Sequence, residues 1–193
     1  MNDARHSPGD LLANFYLSPA ARLILLSGPS GCGKTTWCIQ LQKIAVRQNI
    51  TVHGIISPPV FKNGSKIGIN LLPLPGGRPR RLAVHRQNET SGLFTEDWRF
   101  DEHQMDWGER YLARIRSPQL LIVDELGPLE FLNGQGWQSA FSLIGKRAYH
   151  LAVIVVRPSL LDVAKQRWPW AENLELPPPD AVDEAWLEHN DPD

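Results

Sequence analysis

The sequence predicts an α/β domain with a largely parallel central sheet, on three observations. Short apolar runs at RLILLS (22–27), QLLIVD (119–124) and LAVIVV (151–156) have the composition of strands buried on both faces. Segments with apolar residues at helical spacing separate them. Strands and helices alternate along the chain, which favours crossover connections and gathers ligands at the carboxyl ends of the strands. At 193 residues the chain suits one domain with a sizeable core, since domains run to roughly 100–200 residues.

Each element carries its own signal. The first run, Arg22 to Ser27, stops abruptly at Gly28, and a glycine-rich turn follows. From Gly33 to Gln48, Trp37, Leu41 and Ile44 recur at i, i+4 and i+7 while Gln40, Lys43 and Arg47 are left for solvent, the pattern of an amphipathic helix. Ile50 to Ser57 is rich in β-branched residues and ends at Pro58 and Pro59, so it reads as a second strand, parallel to the first after a helical crossover. Over 59–86 the pattern changes. Asn63-Gly64 sits between two β-like runs, the strongest short-range hairpin signal, Ile67, Ile69 and Leu71 alternate behind it, and PGGRP turns the chain into RRLAVHR. A small antiparallel excursion from the parallel sheet is expected there. After a polar stretch at 87–99, Asp101 and Gln104 form a helix-capping pair ahead of Met105, Gly108, Leu112 and Ile115. Gln135 to Lys146 reads as a helix with Trp137, Phe141 and Ile144 inward, and Ser159 to Arg167 as a shorter one.

The chemistry is concentrated in two of the strand ends. GPSGCGKT, Gly28 to Thr35, fits G-x-x-x-x-G-K-[ST] and falls between a strand and a helix, the context a P-loop requires. Its glycines let the backbone wrap a phosphate chain with its N–H groups and the helix N-terminus facing inward. Lys34 brings a point charge to the β and γ phosphates, Thr35 offers a hydroxyl to Mg²⁺, and Thr36 adds a hydroxyl or N–H near the α phosphate. In LLIVDE, an apolar strand delivers Asp124 to the metal at its carboxyl end, a Walker B pattern, and Glu125 directly after it is placed to orient or deprotonate a water beside the γ-phosphate. Arg157, at the end of LAVIVV, either reaches the same phosphate cluster or is an exposed strand-end arginine. Glu130 either contacts substrate or caps a helix. With these motifs the fold class narrows to a P-loop NTPase three-layer sandwich. The expected organisation is an N-terminal extension over 1–21, the domain over 22–176 with its hairpin excursion at 59–86, and a Pro-rich, acidic tail over 177–193.

Composition sets the boundaries of function. The chain is 42% hydrophobic and 21% charged, its longest apolar runs fall far short of the roughly 20 residues a bilayer needs, and its N-terminus carries Asp3, Arg5 and Asp10 without an apolar signal region. A cytoplasmic location and no membrane contact are expected. Cys32 and Cys38 are too few and too close for a disulfide framework or a metal site, and read as reduced thiols; Cys32, inside the P-loop, is also open to oxidation that blocks phosphate binding. The tail from Asp180 to Asp193 holds six acidic residues and no Lys or Arg, which leaves 20 − 15 = +5 on residues 1–179. Lys62, Lys66, Arg78, Arg80, Arg81 and Arg86 form a basic run without an acid, either the solvated face of a hairpin, a phosphate lid or a nucleic-acid surface. Nucleic acid therefore stays open as a partner, and the oligomeric state is not readable. Trp168 and Trp170 are either core residues or a platform for a base.

With both motifs placed, residues 22–170 resemble the small P-loop nucleoside-triphosphatase family first recognised in thermophiles and discussed as nucleotide or RNA kinases. DELGPLEF, Asp124 to Phe131, is similar to the family's DEIG-x-ME segment, HGIISPPVFKNGSKIGINLL takes the place of its GF-x-T-x-E-V-R…R-x-GF hairpin, and LAVHR matches its short LA element. The resemblance implies nucleotide contacts at Gly28, Pro29, Ser30, Gly31, Cys32, Gly33, Lys34 and Thr35, and at Leu121, Ile122, Val123, Asp124, Glu125, Leu126, Gly127 and Pro128. The chain departs from the pattern where Ser57, Pro58, Pro59, Val60 and Phe61 replace T-x-E-V-R, which removes an acid and an arginine from the substrate side. The expected activity is Mg²⁺-dependent hydrolysis of ATP, GTP and other nucleoside triphosphates, with Lys34, Glu125 and Arg157 as catalytic residues. The rivals are a nucleoside, nucleotide or RNA kinase on the same phosphate cradle and a nucleotide-dependent switch. A transporter ATPase is disfavoured, as no LSGGQ-type signature separates the two motifs.

Overall fold

The β-branched and leucine-rich runs pair into one nine-stranded mixed sheet in a computed structural model that describes residues 7–13, 15, 20–87 and 91–179. The chain runs through α1 (Pro8–Ala13), β1 (Arg22–Ser27), α2 (Lys34–Arg47), β2 (Val52–Ile56), β3 (Pro59–Lys62), β4 (Ser65–Leu74), β5 (Arg80–His85) and β6 (Trp98–Phe100). It continues through α3 (Glu102–Leu112), β7 (Leu120–Leu126), α4 (Pro128–Phe131), α5 (Gln138–Gly145), β8 (Leu151–Val156), a 3-10 turn (Pro158–Leu160), α6 (Leu161–Arg167) and β9 (Glu172–Glu175). The strand order is β6-β5-β4-β2-β7-β8-β1-β9, with β3 paired to β4. No described helix is long and apolar enough to cross a membrane.

Five strands, β2, β7, β8, β1 and β9, are parallel, and the excursion extends the same sheet as antiparallel strands from β4 outward. β2 is parallel to β1 as expected, but β7 and β8 lie between them. β8 is buried along its whole length, as its unbroken apolar run requires. Two apolar clusters cover the two faces of the sheet. One joins β7 and β8 side chains to α3, α5 and α6 through Leu112, Phe141, Ile144 and Trp168. The other joins Ile24, Leu26, Ile122 and Val153 to Trp37, Cys38 and Leu41 of α2 and to Leu11 and Leu12 of α1. Helices on both faces make three layers. Trp168 is fully buried against Phe131 and Phe141, so its use is packing.

Local chemistry fixes the hairpin and the helix starts. Asn63 and Gly64 both have positive φ, 49° and 75°, the backbone of the tight turn that suits the twist of paired strands. Asp101 caps α3 by accepting from the Gln104 N–H at 3.1 Å. Two irregularities then matter for function. The β3–β4 ladder pairs Val60 with Gly68 but Phe61 with Lys66, so Ile67 is an extra residue in β4. The β7–β8 ladder shifts between Val123 and Leu126, and the Asp124–Glu125 peptide bond there is cis. The acidic tail over 180–193 lies outside the described residues.

Candidate nucleotide site

Parallel strands present their carboxyl ends on one edge, and the ends of β1, β2, β7 and β8 deliver Gly28, Ser57, Asp124 and Arg157 to the same region. A cleft of about 520 Å³ opens there, lined by Ser30, Gly31, Gly33, Lys34, Thr35 and Thr36 of the loop and by Asp124, Glu125, Gly127 and Pro128 at the end of β7 and after it. Arg157 lines it as well. The expected P-loop and Walker B residues therefore come together across one cavity.

The P-loop is held from below. A side chain at Gly28, where φ is 146°, would place its Cβ 2.8 Å from both Cys32 Sγ and the Leu176 carbonyl, so only glycine fits. Leu176, just past β9, donates its N–H to the Ser27 carbonyl at 2.9 Å. Lys34 Nζ donates to the carbonyls of Gly28 at 2.7 Å and Pro29 at 2.8 Å, which folds its ammonium into the loop. Cys32 Sγ lies 3.8 Å from the same ammonium.

Asp124 is buried at 2% exposure. Its carboxylate accepts the Ser57 N–H at 3.1 Å and the Thr35 hydroxyl. Burial raises its carboxyl from the ordinary value to about 6, with Glu125 adding to the rise, while the Ser57 N–H, the Thr35 hydroxyl and Lys34 pull it back. Thr35 and Asp124 thus supply one hydroxyl and one carboxylate side by side. Among the described residues no group of three or more His, Cys, Asp or Glu side chains is arranged to hold a metal. Two hard oxygen donors with no cage around them suit Mg²⁺, which keeps waters and takes phosphate oxygens for the rest of its shell.

On a regular strand, consecutive residues face opposite ways, yet Asp124 and Glu125 both line the cleft because the ladder shifts between Val123 and Leu126. Glu125 Oε1 accepts from Arg157 Nε at 2.5 Å, so the two strand-end residues singled out for catalysis form one ion pair. Leu121, Ile122, Val123 and Leu126 have no exposed surface and form the core of β7 around Asp124. Of the P-loop, Gly28, Pro29 and Cys32 shape the loop from behind, and Ser30, Gly31 and Gly33 to Thr36 face the cleft.

Glu130 turns back on its own helix. It accepts the Gly127 N–H at 2.8 Å and the Trp137 N–H at 3.1 Å, which caps α4 and ties the start of α5 to it. Burial pushes its carboxyl up to about 7 against the pull of those two N–H groups. A carboxyl raised on folding binds its proton more tightly in the native state, so its share of stability is full at low pH and is lost as pH rises from about 4.5 to about 7. The expected loss from this one group is about 3 kcal/mol. Glu130→Gln is expected to flatten that slope in thermal melts taken across the window; equal slopes in the two proteins reject the assignment.

The cleft also holds residues that the motifs did not indicate. Ser57, Pro59 and Phe61, at the place of the departing hairpin segment, line it together with Lys66, Ile69, Leu82, Trp98 and Phe100. The basic run does not form one surface: Lys66 enters the cleft, Arg80 lies over Trp107 at 4.4 Å, Arg86 over Phe94 at 3.9 Å, and Arg81 lines a separate cavity beside β6. Trp170 carries Arg147 at 4.9 Å and, like Trp168, does not line the cleft.

A strand, a phosphate loop capped by a helix and a buried aspartate on a parallel strand define a P-loop NTPase. A family model described as NTPase matches residues 23–167, and the chain belongs to that family. It is 24% identical over 163 residues to the nucleoside-triphosphatase THEP1 of Methanopyrus kandleri, a match covering 79% of this chain and 89% of that one. It is 32% identical over 111 residues to the nucleoside-triphosphatase THEP1 of Methanothermobacter thermautotrophicus, covering 55% and 61%. Its fold is that of two solved structures at 18% identity. The crystal structure of THEP1 from Aquifex aeolicus gives a TM-score of 0.59 over 86% of this chain and 98% of that one. The solution structure of a human cancer-related nucleoside triphosphatase gives 0.63 over 88% and 95%.

Proposed function

We propose that the chain hydrolyses nucleoside triphosphates, ATP and GTP among them, to the diphosphate and phosphate with Mg²⁺. The observation that carries this reading is the meeting of the phosphate loop and the Asp124–Glu125 pair in one cleft in a member of the NTPase family. In this reading the loop N–H groups and Lys34 hold the β and γ phosphates, and Lys34 exchanges its two carbonyl partners for phosphate oxygens. Thr35 and Asp124 would hold Mg²⁺, which would supply positive charge to neutralise the phosphates. Glu125 orients a water on the γ-phosphorus and takes its proton as the new P–O bond forms and the bond to the β-phosphate oxygen breaks. Arg157 holds Glu125 in place and offers its remaining N–H groups to the transferred group.

The test is phosphate release from ATP, GTP, CTP and UTP with Mg²⁺, with and without added nucleosides or RNA. Release with water alone across several bases is expected. Release that appears only with an acceptor, with the label on that acceptor, overturns hydrolysis in favour of phosphoryl transfer to an alcohol.

A further inference from the structure

We infer that Lys66 is a further catalytic residue of this site, its ammonium meeting the transferred phosphoryl group from the β4 side of the cleft. The inference rests on the hydrolysis reading above and concerns a side chain from the antiparallel excursion. The extra residue at Ile67 is what aims it. Without that bulge, Lys66 and Ile69 would face opposite sides of β4; with it, Lys66 pairs with Phe61, Ile69 pairs with Pro59, and all four line the cleft.

The position is built. Lys66 Nζ sits 4.6 Å over the ring centroid of Trp98, itself buried on β6 and stacked on His85 at 4.3 Å. The ammonium lies in the field of Glu125, Arg157, Asp124 and Asp97, and the first three line the same cleft. Burial and Arg157 lower its pKa, and the carboxylates of Glu125, Asp124 and Asp97 pull it back up. The other two cations of the cleft are already engaged, Lys34 on two loop carbonyls and Arg157 on Glu125. Among the described residues, the Lys66 ammonium has the Trp98 ring as partner and no carboxylate within ion-pairing distance. A loose, charge-spread phosphoryl transition state rewards a donor on each side of its equatorial oxygens, and a cation resting on an aromatic face gives up little to turn towards it.

The experiment compares the full chain with Lys66→Met and Lys66→Arg, each with ATP and Mg²⁺. For Lys66→Met the expected result is a fall in kcat of about 10²–10³-fold with KM within a few-fold of wild type. ADP binding by equilibrium dialysis is expected to be unchanged, while the tighter binding of ADP with aluminium fluoride, a mimic of the transferring phosphoryl group, is lost. Lys66→Arg is expected to regain most of both. A Lys66→Met protein with wild-type kcat overturns the inference, as does one that loses ADP affinity and melting temperature together, which is the mark of a structural lysine. A wild-type protein that releases no phosphate fails the underlying reading and this one with it; wild-type release alongside an inert Lys66→Met substitution fails this one alone.

Discussion

Lys34→Ala is expected to lower kcat/KM for ATP by about 10²–10⁴-fold, the largest effect of any single change in the P-loop. Two charge-assisted contacts to phosphate oxygens are lost, each contributing about 1.5–3 kcal/mol. The structure adds a second, smaller effect. Lys34 Nζ is held by the Gly28 and Pro29 carbonyls, so the truncation also strips two acceptors in a part-buried loop of their donor. A modest fall in melting temperature without nucleotide is therefore expected beside the kinetic loss. Phosphate release together with a thermal melt checks both, and wild-type-like turnover in the variant rejects the assignment of the site.

Glu125→Gln is expected to separate binding from turnover. Amide replaces carboxylate with nearly the same shape, so ATP affinity is expected to stay within a few-fold while turnover drops by about 10²–10⁴-fold, the usual worth of a positioned acid or base. The ion pair with Arg157 makes the substitution informative in another way, because the guanidinium loses its charged partner at 2.5 Å and is released towards the phosphates. Nucleotide affinity that stays level or rises as turnover falls fits this geometry. Binding that disappears while the remaining turnover is unchanged shows that Glu125 holds ligand instead of water.

Legibility in the sequence followed the range of the interactions. The P-loop and the strand ahead of Asp124 are contiguous segments whose chemistry needs only their own spacing and flanking elements, and β1 and β8 occupy the runs read from composition. Lys66 stood out only as one member of a basic run, for the opposite reason. Alternation of Ile67, Ile69 and Leu71 implies one face for the isoleucines and the other for Lys66, and only the pairing of β4 with β3, which leaves Ile67 over, reverses it. The edge strands β6 and β9 escaped notice because three or four residues with one buried side chain each carry almost no periodic signal. Glu130 could be read two ways from its position after the aspartate, and the Gly127 and Trp137 N–H groups that make it a cap sit on opposite sides of it in sequence.

The place of β1 has a consequence for how the protein is made. It leaves the ribosome well ahead of its two neighbours, β8 and β9, so Arg22 waits for Leu151 and Leu26 for Leu174. Leu176, which supports the phosphate loop at Ser27 and Gly28, comes later still. During synthesis the nascent chain therefore carries an apolar strand and an unsupported loop through most of translation, and pairings of such long sequence separation are slow to close. Support of the phosphate loop is therefore complete only after β9 and Leu176 have been made.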